Sequence, residues 1–473
     1  MADGLRDNVG TGTRTVPGAA LPERLAAAVT ALRNRPISVT EKGFGRIAPA
    51  GLMFADPAAG SAPAGGPVTA ARLAAERPPL FGGGFDMPVL VLREAALRQN
   101  IEAMAAYCAA AGVLHAPHGK TTMAPQLIAR QLAAGAWAVT AATIAHAQVY
   151  RAFGVPRVLI ANQLTERGAA EWLASELAAD PGFDCFVYAD SLAGVALLDE
   201  AAASVRPGRP LKVLVELGYP GGRAGCRRIA DALAVAGAVE SAAGLELAGA
   251  SGYEGGIDRE DPQATLAAVA AFCSDLRTLG ARLPGPPPGG RHILSAGGSS
   301  YFDVVCRELS APRAGQEQPP QVVLRSGAYI THDHGRYAAT GPGSRPGTAT
   351  PGSAPIPEFA PALELWTSVL SVPEPGLAIA NAGRRDVSHD QGMPVPLRIR
   401  PSGAGGYRAA TGMRVTRLDD QHAYVRMPEP ADLAPGDLLA LGITHPCTTF
   451  DKSRVIPVLD EDDRLVDAVH TFF

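Results

Sequence analysis

From Pro88 onward, short apolar runs alternate with longer Ala/Leu-rich helical stretches. Pro88 to Leu92 is a first short strand. Further strands are predicted near 113–118, 137–141, 157–162, 184–189, 211–217, 245–251, 292–296 and 321–325. Helical segments are predicted near 94–110, 123–134, 143–153, 166–178, 191–204, 227–242, 261–279 and 299–309. Eight strands alternating with eight helices is the pattern of an α/β fold, a (β/α)8 TIM barrel of about 250 residues. A doubly wound open sheet competes, because strand count alone does not close a barrel. Past a Gly/Pro/Ser/Thr run at Thr340–Pro357, expected to be disordered, the pattern changes to short strands separated by turns, from Leu363 to Ile443. That reads as a C-terminal all-β domain. Leu283 to Gly290 reads as a loop insertion. The predicted organisation is an N-terminal extension, partly flexible, over 1–85; a barrel over 86–335; a flexible linker over 336–358; and a β domain over 359–473. Within the extension, Leu21–Leu32 and Val68–Glu76 are the helical patches, and Pro36–Ile47 suits a strand and turn.

Composition narrows the class. The chain has 473 residues, 47% hydrophobic and 19% charged, which suits a soluble protein with a sizeable core. A net charge of -4 gives no electrostatic case for nucleic acid. No apolar run approaches a membrane span, and the polar start, Met1 to Val16, has no secretory core, so cytoplasm is the expected compartment. The six cysteines are scattered, without framework spacing, and are expected to be reduced.

The chemistry-bearing stretch is His115-Ala-Pro-His-Gly-Lys-Thr-Thr122. Lys120 falls where a strand stops and a helix starts, at the mouth of such a fold. Gly119-Lys120-Thr121 imitates the end of a phosphate loop, but the required first glycine is Leu114. An ordinary surface lysine is the bland alternative. Against it, only Lys42, Lys120, Lys212 and Lys452 are lysines among 42 basic residues. The remaining reading is a partly desolvated, Schiff-base lysine. Across the rim, Ser295-Ala-Gly-Gly-Ser-Ser300 offers Gly297, Gly298 and Ser299 as a phosphate turn opening a helix, or simply as a capped tight turn. A lysine aldehyde partner that carries a phosphate is pyridoxal 5'-phosphate. Arg223, in the glycine-rich loop after the fifth strand, and Tyr253, after the sixth, could face the cofactor; a solvated arginine and a packed ring are the alternatives. His445 and Cys447, two apart, share one face of an extended segment and suit zinc (Zn2+) with open positions, or form a buried histidine–thiol pair. His332-Asp-His334 is a rival metal pair.

These residues resemble the fold-type III pyridoxal-phosphate enzymes, within them the D-serine dehydratase/D-threonine aldolase group, including amino acid deaminases. The resemblance runs from about Pro88 to the C-terminus. It rests on Pro117-His118-Gly119-Lys120-Thr121, Asn162-Gln163, Gly218 to Gly225, Gly252-Tyr253-Glu254-Gly255, Ala296-Gly297-Gly298-Ser299, Gly327-Ala328-Tyr329 and His445-Pro446-Cys447-Thr448. It implies a homodimer with the site between the barrel and a β domain. It also implies Lys120 as cofactor anchor, Arg223 near the pyridine nitrogen, Tyr253, Gly297, Gly298, Ser299 and Tyr329 around the cofactor, and His445 and Cys447 on zinc. The aldolase branch has His-x-Asp for its metal, so Cys447 is similar to the dehydratase branch. Ala116 and Ser453 depart from the arginine and the aromatic that many members carry there, and leave room for a bulkier substrate.

The implied reaction is dehydration and deamination of a D-serine-like amino acid to a keto acid and ammonia. Lys120 removes the α-proton, and zinc assists departure of the β-hydroxyl. Rivals are D-threonine aldolase-type cleavage, a racemase using a tyrosine such as Tyr407 or Tyr424 as second acid/base, and a non-catalytic cofactor carrier. The carrier would resemble the barrel alone, which the β domain argues against.

Overall fold

The computed structural model describes residues 20–38, 40–44, 46, 67–286, 290–311, 319–345, 354–403, 405–429 and 433–473. The first strand, β1 (Val89–Arg93), is followed by eight more: β2 (Leu114–His115), β3 (Val139–Ala141), β4 (Arg157–Gln163), β5 (Asp184–Ala189), β6 (Leu211–Leu217), β7 (Leu245–Gly252), β8 (Ile293–Ala296) and β9 (Gln321–Leu324). Strands β2 to β9 form one parallel sheet in the order β2-β9-β8-β7-β6-β5-β4-β3. The two end strands meet as well. Trp137 N–H donates to the His115 carbonyl at 2.7 Å and Thr140 N–H to that of Pro117 at 2.8 Å, and His118 bridges Thr140. The sheet therefore curls into a closed ring, and the open-sheet alternative falls.

Period-two alternation fills both faces of this ring. Leu159, Phe186, Tyr188, Leu214 and Val323 point inward into one cluster. Their chain neighbours Val158, Ile160, Val187, Val213 and Val215 pack outward against the helices. Helix starts are set by local chemistry: Thr143, Ser191 and Asp261 accept from first-turn amides, and Pro125 and Pro262 begin their helices. One expected start is displaced. The helix placed at 299–309 begins at Phe302, because Ser299 and Ser300 lie in a turn.

The second sheet is built by β10 (Leu363–Glu374), β11 (Leu377–Ala380), β12 (Val395–Arg400), β13 (Arg408–Ala409), β14 (Arg414–Leu418), β15 (Ala423–Arg426), β16 (Leu438–Gly442), β17 (Val455–Leu459) and β18 (Leu465–His470). Its main path is β13-β12-β16-β10-β1-β17-β18. So β1, at the head of the segment expected to be barrel, belongs by its hydrogen bonds to the other sheet. It runs antiparallel to β10 and parallel to β17. The described part of the N-terminal extension packs here too: Phe44, Leu73, Leu80 and Phe85 share a core with Trp366 and Leu465. Its helices span Glu23–Arg33 and Ala70–Glu76.

Part of the stretch expected to lack structure is held. A helix, Arg336–Thr340, and a tight turn, Pro342–Ser344, lead to Arg345. The Arg345 guanidinium donates to the Thr340 carbonyl at 2.8 Å and also reaches the Ser300 carbonyl and the Asp303 carboxylate. Residues 346–353, the rest of that stretch, and 287–289, inside the expected loop insertion, lie outside the described residues. Among the described residues, no helix is long and apolar enough to cross a membrane.

Candidate functional site

Lys120 sits on a short 3-10 turn, Gly119–Thr121, directly after β2. Only glycine fits before it, because a Cβ on Gly119 would lie 2.5 Å from the Tyr150 hydroxyl. Three imidazoles surround the turn. Burial, with the charges of Lys120, Arg325 and Arg223, holds His118 well below its ordinary value, so it is neutral. Burial holds His115 at about 4, against the opposing pull of its contact with the Ser326 carbonyl. His146, on the first turn of the helix after β3, is lowered by burial and by the Lys120 charge. The Nδ1 of His118 is buried without a partner among the described residues.

The glycine turn after β8 lies on the same rim. Gly297 has φ +97°, and a Cβ there would meet Leu324. Its conformation is fixed by a residue that sequence reasoning quoted but did not use. Glu254, fully buried, accepts the Gly297 N–H at 3.1 Å and the Gly298 N–H at 2.6 Å. Those two amides are therefore occupied by a carboxylate. The amides of Ser299 and Ser300, and those of Gly327 and Ala328 across from them, donate to nothing among the described residues. Ser326 Oγ ties the two turns together by donating to the Gly297 and Gly298 carbonyls, and free N–H groups on two joined turns suit an anion cup. Ser299 belongs to this cup; Gly297 and Gly298 shape it.

Arg223 lies at the rim, near enough for its charge to act on His118 and Glu216. It is exposed on its loop, with its guanidinium 4.3 Å from the centroid of the Tyr253 ring. The buried cation is Arg325, at the end of β9. Its guanidinium donates to Ser295 Oγ and to the Gly252 carbonyl, both at 2.6 Å, while Nε has no partner among the described residues. Across the barrel, burial raises the Glu216 carboxyl, opposed by a hydrogen bond from Gln163 and by the Arg325 charge. Tyr329 is buried with its ring edge-on to His115, and its hydroxyl accepts from Gln131 at 2.9 Å.

The metal motif belongs to the other domain and closes on this rim. Pro446 is helical rather than extended, and Cys447 opens a one-turn helix. The two side chains still meet. Burial alone would raise the Cys447 thiol; its hydrogen bonds with His445 and Thr121, with the charges of His445 and Lys120, outweigh it and hold the thiol below its ordinary value. The thiol is 3.5 Å from the Thr121 hydroxyl, one residue from Lys120. His445 is raised, chiefly by its hydrogen bond with Cys447. Asp390 lies 2.6 Å from His445 Nδ1 and also accepts from Thr448 at 2.8 Å. A carboxylate on one ring nitrogen leaves the other free to face a metal. Nothing in the spacing announces Asp390, 55 positions away. The rival pair does not converge: the Asp333 carboxylate accepts amides of Gly335, Tyr337 and Ala338, and His334 packs on Gly442. No cluster of three or more metal-binding side chains occurs among the described residues.

The residues fit both groups. A half-buried lysine, an anion cup and orphaned buried nitrogens suit a phosphorylated aldehyde. A lowered thiol beside an oriented imidazole suits zinc, with the remaining positions open.

Comparison with known proteins follows this division. Residues 92–305 match the alanine racemase N-terminal domain, and residues 362–459 match the putative serine dehydratase domain. The D-threonine aldolase of Arthrobacter sp. is 26% identical over 370 residues, 77% of this chain and 87% of that enzyme. In fold, the chain is similar to D-threonine aldolase from Filomicrobium marinum, with TM-score 0.66 and 24% identity, over 82% of this chain and 95% of that one. It is also similar to D-threo-3-hydroxyaspartate dehydratase from Delftia sp. HT23, with TM-score 0.61 and 21% identity, over 82% and 97%.

Proposed function

We propose that this chain, which belongs to the fold-type III pyridoxal-phosphate enzymes and is a lyase among them, dehydrates and deaminates a β-hydroxy D-amino acid of the D-serine type, with zinc at His445 and Cys447. The observation that carries the reading is the approach of the Cys447 thiol to Thr121, which sets a metal-binding pair beside Lys120.

Lys120 would hold the cofactor. The amides of Ser299, Ser300, Gly327 and Ala328 would hold its phosphate, with Glu254 keeping the first turn in shape. Arg325, rather than the exposed Arg223, is the buried guanidinium available beneath the ring. When bound, the cofactor supplies an electron sink and the metal a Lewis acid for the β-oxygen. The Lys120 amine, once free, takes the α-proton. Neutral His118 and His146 keep further positive charge away from that amine. A buried guanidinium disfavours a second positive charge on the ring nitrogen, which favours prompt elimination over a long-lived carbanion.

A second reading, retro-aldol cleavage, draws on the D-threonine aldolase relative. Racemisation is less supported, because both candidate phenols are engaged: Tyr407 with Asp463, and Tyr424 with Asp419 and Arg417. We keep the homodimer as part of the proposal. The test is incubation with D-serine and D-threonine, with keto acid, aldehyde and enantiomer measured before and after chelation and zinc return. Keto acid that appears only with metal is the expected result. Full D-serine dehydration by metal-free protein would sink the zinc role, and aldehyde with glycine would favour the second reading.

A further inference from the structure

Met123, the residue that closes the lysine turn, is buried in a conformation rare for its type. Its φ is +43°, a left-handed backbone that a residue with a long side chain keeps only when its surroundings impose it. Three contacts do so. Its N–H donates to the Gly119 carbonyl at 2.9 Å, and Thr122 N–H shares that acceptor at 3.2 Å, which folds the chain around Lys120. Its sulfur accepts from the Tyr150 hydroxyl at 3.3 Å. Its carbonyl accepts from Phe472 N–H at 3.0 Å. This third contact comes from the β domain, just past β18.

The donor is itself fixed. The Thr471 N–H and hydroxyl donate to the carbonyls of Arg454 and Ser453, at 2.9 and 2.6 Å, in the loop that follows Cys447. The Phe472 ring packs edge-on to Phe153, 4.7 Å between centroids, and the Arg35 guanidinium stands 5.9 Å from its centre. Gln126, on the helix after the lysine turn, donates to the Ala468 carbonyl and accepts from His470 N–H, both at 3.3 Å. Two consecutive residues, Thr471 and Phe472, thus join the loop after the metal motif to the turn that carries Lys120.

We propose that Phe472 is a positioning residue for Lys120: its N–H holds the Met123 carbonyl, and through it the strained turn, in the shape that binds pyridoxal 5'-phosphate. The inference rests on the reading of Lys120 as the cofactor anchor. The main-chain donor acts here, so the side chain is replaceable where the N–H is kept. Linkage makes the effect reciprocal. Whatever the contact contributes to cofactor binding, bound cofactor returns to the contact.

The test titrates the full-length apo protein with pyridoxal 5'-phosphate and reads the visible band. Phe472→Ala and Phe472→Pro both lose the ring, but only Phe472→Pro loses the N–H. Affinity should be about 5- to 10-fold weaker in Phe472→Pro than in Phe472→Ala. Wild-type protein supplies a second reading that needs no substitution. Amide hydrogen exchange at Phe472 and Met123 should slow together when the cofactor binds, while exchange in the β14–β15 hairpin stays unchanged. Affinities of the two variants within twofold of each other overturn the inference, and so does Phe472 exchange that is indifferent to the cofactor. A visible band that survives Lys120→Ala overturns the parent reading, and this inference with it.

Discussion

At the barrel end of the site the donors are main-chain amides, held in place by charges buried beneath them. At the β-domain end they are side chains, held by a half-exposed carboxylate. Glu254 and Arg325 are both buried in the interior, and between them they hold groups at the ends of two strands, β7 and β8. Asp390 is exposed and acts on one imidazole. The first arrangement is rigid because a buried ionic group without partners is so unfavourable that the loops must close around it. The second is held from the surface, by a carboxylate that solvent can reach.

The sharpest way to break the contrast is Lys120→Ala. The visible cofactor band should vanish and turnover should fall about 10⁴-fold or more, while the metal content of the purified protein stays at the wild-type level. Joint loss of cofactor and metal would mean that the two ends are one unit. Next comes Glu254→Ala, which strips the acceptor from two amides and should lower stability by about 2–4 kcal/mol in denaturant titration; a change below 1 kcal/mol would deny it the supporting role. Asp390→Ala should be gentler: metal affinity down roughly 10- to 100-fold by competition with a chelator, with an unchanged unfolding midpoint. The smallest effect concerns pH. His470, in β18, is held at about 4 by burial and the Arg35 charge. The unfolded chain binds this proton near pH 6.5 and the folded chain does not, so stability is lost as pH falls from 6.5 toward 4. His470→Gln should remove about 1 kcal/mol of that loss at pH 5.5, read from urea midpoints against those at pH 7.5.

The two ends also differ in how far they can be read from sequence. Cys447 and Lys120 were legible because side-chain chemistry at short spacing is written in the residues themselves. The alternation from Val113 to Leu324 was legible because period-two strands and capped helices are local. The anion cup was half legible. Glycines mark a turn, but which amides stay free depends on Glu254, which arrives from a different strand. Arg223 and Arg325 show the limit most clearly. Both follow a barrel strand and both neighbour glycines, yet only the strand-end position of Arg325 carries it inward. Asp390 gave no signal at all, since a turn 55 residues from its imidazole has no reason in spacing to meet it.

The placement of β1 bears on how the chain is made. The apolar run Val-Leu-Val-Leu leaves the ribosome early, before any of the barrel, yet both its neighbours come afterwards. Arg93 and its partner Glu364 are 271 positions apart, and β17 emerges later still. The whole barrel is therefore an insertion between two adjacent strands of a sheet that cannot close until β10 and β17 have been made. During that wait the nascent strand is an unpaired, aggregation-prone edge. Its docking is a late event, and only then is the thiol of Cys447 delivered to the lysine turn. A growing chain can assemble its lysine turn and anion cup first, but the His445 and Cys447 pair reaches them only after β16 has been made.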